Sequence, residues 1–259
     1  MRTRRSAMFV ATGIIALVGC GDSNDRTSID SSAVPSVAPG TSPISTPATA
    51  ARTSTSAGPE AEILFHDPLD DDTNAWGIVD DPQFGSATFA DGDYVWNFSG
   101  SVAHWLPGVL GEQYDRGELE FRDVVVHAEL SIISGDGVAG VFCREQPDTD
   151  ADWQWYEFVV RNGFAAIRLA DLEGNIDVLA ETQHVSLPTG APIAMDATCI
   201  DGTDGKAHLS LALNGSPLLE VSAENPLGNG VAGMQAWTFP VHEQMDLRWH
   251  EFSVSRAAA

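Results

Sequence analysis

The sequence predicts an all-β domain, an antiparallel two-sheet sandwich, carried behind a segment with no folding pattern. Three observations lead there. Apolar and polar residues alternate in Val124-Val125-Val126-His127-Ala128-Glu129-Leu130-Ser131-Ile132, placing residues 124, 126, 128, 130 and 132 on one face. Asn-Gly pairs separate strand-like runs at Asn162-Gly163 and Asn214-Gly215, a hairpin signal because both residues tolerate positive φ. From Glu60 onward no window holds a sustained apolar stripe at helical spacing. The remaining stretch of about 200 residues suffices for one large β-domain.

The chain starts with Arg2, Arg4 and Arg5, followed by an apolar run from Ala7 to Val18. A basic start, a short apolar centre and small residues at the cut make residues 1–19 a secretory signal peptide. The run is about 12 residues, too short for a spanning helix, which needs roughly 20. Leu17-Val18-Gly19-Cys20 resembles the lipobox of bacterial lipoproteins. The resemblance implies that Cys20 becomes the lipidated N-terminus, on the extracytoplasmic face of the cell membrane. Two or three acyl chains, each contributing about 0.8 kcal/mol per buried CH₂, would hold it there. Thr3-Arg4-Arg5-Ser6 partly resembles a twin-arginine export signal, but Ala7 stands where that signal has a large apolar residue, so ordinary secretion is expected.

Residues 20–59 are read as the lipidated cysteine plus a disordered stalk. Ser, Thr, Pro, Ala and Gly dominate, as in Thr41-Ser42-Pro43-Ile44-Ser45-Thr46-Pro47, and large apolar residues are too few to offset ordering entropy. The composition suits a spacer and permits O-glycosylation.

Residues 60–259 form the predicted sandwich. Tyr156, Phe158 and Val160 alternate against Trp155, Glu157 and Val159, and Asn162-Gly163 returns the chain into Phe164–Ala170. Asp171–Asn175 turns into Ile176–Glu181, and Asp201–Gly205 links Ala194–Ile200 to Ala207–Leu213. Asn214-Gly215 leads into Pro217–Ser222, and Met245–Arg256 closes the domain.

Formal net charge is −24 for the whole chain. Losing residues 1–19 removes three arginines and no acid, leaving 10 basic and 37 acidic residues, near −27. Such charge repels nucleic acid and anionic headgroups, so no nucleic-acid partner is expected. With Cys20 assigned to lipid, Cys143 and Cys199 remain, an even pair in an exported protein and so a candidate disulfide. Two buried free thiols are the alternative.

Several pieces in this order resemble the concanavalin A-like (laminin-G-like) jelly rolls of bacterial surface proteins. They are Leu64-Phe65-His66-Asp67-Pro68-Leu69, Asn74-Ala75-Trp76, Gly117-Glu118-Leu119-Glu120-Phe121 and Gly140-Val141-Phe142-Cys143-Arg144, with the two Asn-Gly hairpins and Gly230-Val231-Ala232-Gly233 following. The resemblance spans roughly residues 62–255. It implies a fold whose functions range over sugar binding, protein binding, glycosidase chemistry and scaffolding.

Glycosidases on such folds carry paired carboxylates on one strand. Glu118 and Glu120 share parity here, but the further acid is displaced to Asp123 on the opposite face, and no catalytic residue is assigned. Gly-x-Ser-x-Gly and His-Glu-x-x-His are both missing. Calcium is the candidate inorganic ligand, on the hard oxygen donors Asp67, Asp70, Asp72 and Asn74. Ala75 replaces the glycine of an EF-hand loop, and that reading is rejected. Trp153 and Trp155 are the candidate stacking pair for a sugar ring. The sequence therefore points to a non-catalytic module binding a glycan or cell-envelope component. The alternatives are a glycoside hydrolase and a protein-interaction or scaffold ectodomain.

Overall fold

The computed structural model describes residues 61–81, 85–98, 120–145, 154–171, 174–238 and 244–257. The expected signal peptide and stalk, Cys20, Glu118 and Trp153 lie outside the described residues. Fourteen strands are formed among the described residues. They are β1 (Ile63–Asp67), β2 (Val79–Asp81), β3 (Gly85–Ala90), β4 (Asp93–Phe98), β5 (Val124–Ser134), β6 (Gly137–Glu145) and β7 (Gln154–Arg161), followed by β8 (Phe164–Asp171), β9 (Ile176–Thr182), β10 (Ile193–Asp201), β11 (Ala207–Leu213), β12 (Ser216–Ala223), β13 (Val231–Thr238) and β14 (Met245–Arg256). No α-helix occurs among the described residues.

The strands make two antiparallel sheets, as the sequence predicts. The larger has the order β12-β11-β10-β5-β14-β4-β3-β2, the smaller β13-β6-β7-β8-β9. β14 is long enough to serve two partners on one edge: Met245–Trp249 pairs with β4, and Phe252–Ser255 with β1. The predicted periodicity of β5 holds, with Val124, Val126, Ala128, Leu130 and Ile132 buried in the core between the sheets. From the smaller sheet, Val141, Tyr156, Phe158, Ile167 and Met234 fill the other side of that core.

The cysteines do form a disulfide, and it crosses the sandwich. Cys143 lies on β6 of the smaller sheet, Cys199 on β10 of the larger, with Cα atoms 6.8 Å apart and a sequence separation of 56. At the Asn214-Gly215 hairpin both residues have positive φ, +50° and +73°. At Asn162-Gly163 only the glycine does, at +82°, and its N–H bonds to the Val185 carbonyl instead. Residues 120–123 depart from expectation. The strand read there is not formed, and Phe121 makes only an isolated bridge to Gly230. Glu118, the other acid of the pair read there, lies outside the described residues.

Candidate functional site

Asp67 is 3 % exposed, and protein donors surround its carboxylate. Oδ1 accepts the Leu69 N–H at 2.7 Å. Oδ2 accepts the Asn74 side-chain N–H and the Trp76 indole N–H, each at 2.6 Å. The four predicted calcium ligands therefore do not converge as a cation site. Asn74 presents its NH₂ to Asp67, Asp67 is already hydrogen-bonded, and Asp70 and Asp72 are exposed. Among the described residues no group of three or more His, Cys, Asp or Glu side chains is arranged to hold a metal ion. The cluster instead packs Trp76 into the core against Phe252, with ring centroids 5.1 Å apart.

Trp155 is 1 % exposed, so it offers no open stacking platform. Its position is nonetheless the one alternation predicts. Tyr156, Phe158 and Val160 enter the main core, while Trp155 and Val159 belong to separate apolar clusters on the outer face of the smaller sheet. Between those clusters lies a buried polar row that the sequence did not single out. The Trp155 indole N–H donates to Glu157 Oε1 at 3.0 Å, and Arg168 Nη2 to Glu157 Oε2 at 2.5 Å. Glu157 and Arg168 are register partners on β7 and β8. The guanidinium carbon then lies 4.6 Å from the centroid of the Trp237 ring on β13.

To meet Trp237 on β13, Arg168 on β8 reaches across β7 toward β6. Gly140, register partner of both Gln235 and Val159, carries no side chain to block that path. None could be added there, since a Cβ would sit 2.1 Å from the Phe158 carbonyl oxygen. Gln235 is fully buried on β13, and neither its Oε1 nor its Nε2 has a hydrogen-bond partner. Arg168 Nε is likewise unpartnered. Buried polar atoms are paired in all but a few cases, so three unpartnered ones on one sheet face stand out.

Two other constellations are structural. Arg144, fully buried and in the left-handed region at φ +57°, follows the disulfide cysteine directly. Its Nη1 donates to Asp201 Oδ1 at 2.6 Å and to the Leu227 carbonyl at 2.9 Å, and Nη2 to the Arg122 carbonyl at 3.0 Å. Burial works against ionisation of Asp201, but hydrogen bonds from Arg144 and Arg122 hold its carboxyl below the ordinary value. The knot ties β6 to β10 beside the disulfide.

On the larger sheet, Ser131 Oγ lies 2.7 Å from His250 Nε2, and His250 Nδ1 lies 2.6 Å from Asp93 Oδ1. The carboxylate can only accept, so Nδ1 carries a proton. These are the contacts of a Ser-His-Asp relay. However, Ser131 is 2 % exposed, and β5 is paired on both sides, so its amides are taken by the sheet rather than aimed at an oxyanion. The trio acts as a ladder pinning β4, β5 and β14, with His250 turned outward by the bulge between Trp249 and Glu251. A groove of about 460 Å³ on the same sheet, lined by Thr198, Ile200, His208, Ser210, Leu218 and Glu220, has no Phe, Tyr or Trp in its wall.

No protein-family model matches the chain, and no curated protein matches it. Solved structures do. A Bacillus subtilis protein of unknown function with a galectin-like fold shares 17 % identity at TM-score 0.53, over 77 % of this chain and 98 % of that one. A Bacillus licheniformis β-glucanase shares 8 % at TM-score 0.50, over 75 % and 98 %. A GlcNAcα1-4Gal-releasing endo-β-galactosidase from Clostridium perfringens shares 8 % at TM-score 0.53, over 77 % and 64 %. At such identities the likeness shows the fold, and that fold is the concanavalin A-like jelly roll.

Proposed function

We propose that the chain is an exported, lipid-anchored surface protein whose jelly-roll domain binds a glycan along the outer face of the smaller sheet. One observation carries the binding reading. Trp155, Glu157, Arg168, Gln235 and Trp237 stand together on the sheet face that the main core does not use. A purely structural face would be filled with aliphatic groups at lower desolvation cost. Aromatic rings beside a carboxylate, a guanidinium and an amide are the groups that read a sugar, through its apolar ring faces and its hydroxyls. The fold supports this coarsely, since its solved examples include enzymes named for glucans and galactosides. The lipid anchor and the extracytoplasmic address rest on the lipobox-like Leu17–Cys20 alone.

The row is buried, so association is slower than for an open cleft. The detergent-solubilised full-length protein on a glycan array tests the reading. Retention of at least one glycan class, weakened about tenfold or more by Glu157→Gln, is the expected result. No retention of any glycan, or binding indifferent to Glu157→Gln, sinks it. Release of new reducing ends, abolished by Glu157→Gln, would make the same face the active site of a hydrolase. The anchor is checked separately: wild type partitions with the membrane as an acylated protein starting at residue 20, and Cys20→Ser removes the acylation.

A further inference from the structure

We infer that this face selects an uncharged sugar with two adjacent free hydroxyls and rejects uronates; the inference rests on the glycan-binding reading. Glu157 accepts from the Trp155 indole on one oxygen and from Arg168 on the other. Arg168 therefore has its positive charge matched inside the row, with its flat face over Trp237. A uronate carboxylate arriving there would find no free cation. It would have to break the Glu157–Arg168 pair or be buried uncompensated, and either is unfavourable. The acidic chain adds repulsion at long range, with its formal charge of −24.

The uncommitted atoms are of the opposite kind. Gln235 offers one acceptor, Oε1, and a two-hydrogen donor, Nε2, while Arg168 Nε adds a third donor site. A hydroxyl both donates and accepts. Two neighbouring hydroxyls can give one hydrogen bond to Oε1 and take one from Nε2, the paired geometry that a primary amide side chain presents. Arg168 Nε then donates to the remaining lone pairs or to the ring oxygen. The same account says why Gln235 stands here at all. Without a ligand its buried amide is a cost to the fold.

The test titrates the solubilised full-length protein calorimetrically with neutral hexasaccharides (gluco-, manno-, galacto- and xylo-) and with galacturonate and alginate hexamers. The expected result is binding within the neutral set and affinity about tenfold or more lower for every uronate. Gln235→Met serves as the second measurement. It keeps side-chain length and removes the unpaired amide, so the melting temperature should hold or rise while neutral-sugar affinity falls about tenfold or more. A merely structural glutamine would give a lower melting temperature and unchanged affinity, which overturns the inference. Uronates bound as tightly as neutral sugars overturn it too, while leaving glycan binding itself standing. Binding of neither set removes both.

Discussion

Asp67 commits its two carboxylate oxygens to three protein donors, and this explains why an Asp-rich turn that reads like a cation loop is a structural staple. Asp67→Ala would leave the buried Trp76 indole N–H without its acceptor. We expect a loss of about 2–4 kcal/mol by urea denaturation, and no rise in wild-type melting temperature with millimolar calcium. Composition alone showed oxygen donors in number, but which of them face nitrogen donors depends on turn geometry that no spacing rule encodes. His127 behaves differently. The hydrogen bond its ring N–H donates to the Asp196 carboxylate, opposed by burial and assisted by the charges of Asp196, Glu251 and Glu129, raises its pKa. A raised folded pKa means the stabilisation is full below the unfolded value of about 6.5 and is lost as pH rises through the folded value. The stability difference between wild type and His127→Gln should therefore shrink from pH 5.5 toward pH 8.5 (both approximate settings), as read by denaturation at each pH. A difference that grows with pH would contradict this pairing.

β5 and β10 were legible because each buries one face only, and their alternation maps directly onto burial. The face assignment of Trp155 and Glu157 was legible for the same reason. The polar row was not, because Glu157, Arg168, Gln235 and Trp237 come from three strands, and their meeting depends on sheet order and on a long side chain reaching across its neighbouring strand. One readable signal was passed over: Asp91-Gly92, with φ +58° and +84°, makes the hairpin between β3 and β4 that places Asp93 beside His250. Two element-level predictions follow from contacts already described. Gly140→Ala should destabilise severely or prevent folding, since the added carbon meets backbone rather than a movable side chain. Replacing both Cys143 and Cys199 by serine should lower unfolding free energy by about 4 kcal/mol on the chain-entropy account, measured in denaturant against the oxidised wild type.

Across the whole molecule, an excess of acid over base sets solubility and partner choice rather than fold. Self-repulsion on this scale predicts a melting temperature that rises when sodium chloride is increased from about 50 to about 500 mM, because the Debye length contracts from roughly 14 to roughly 4 Å. The two ends of the sandwich meet: the Arg256 N–H donates to the Glu62 carbonyl, and β1 runs antiparallel beside the last strand. A load pulling the termini apart therefore enters at one corner, where β1 and the end of β14 share their edge. From there it works inward until it meets the link between Cys143 and Cys199. The 56-residue span that link closes cannot pay out while it is intact. At roughly 3.4 Å per extended residue, about 190 Å of chain is kept in reserve. In force spectroscopy the reduced domain should lengthen by about that much more than the oxidised one. Under the proposed tethering and glycan binding, the disulfide would act as a stop against overextension.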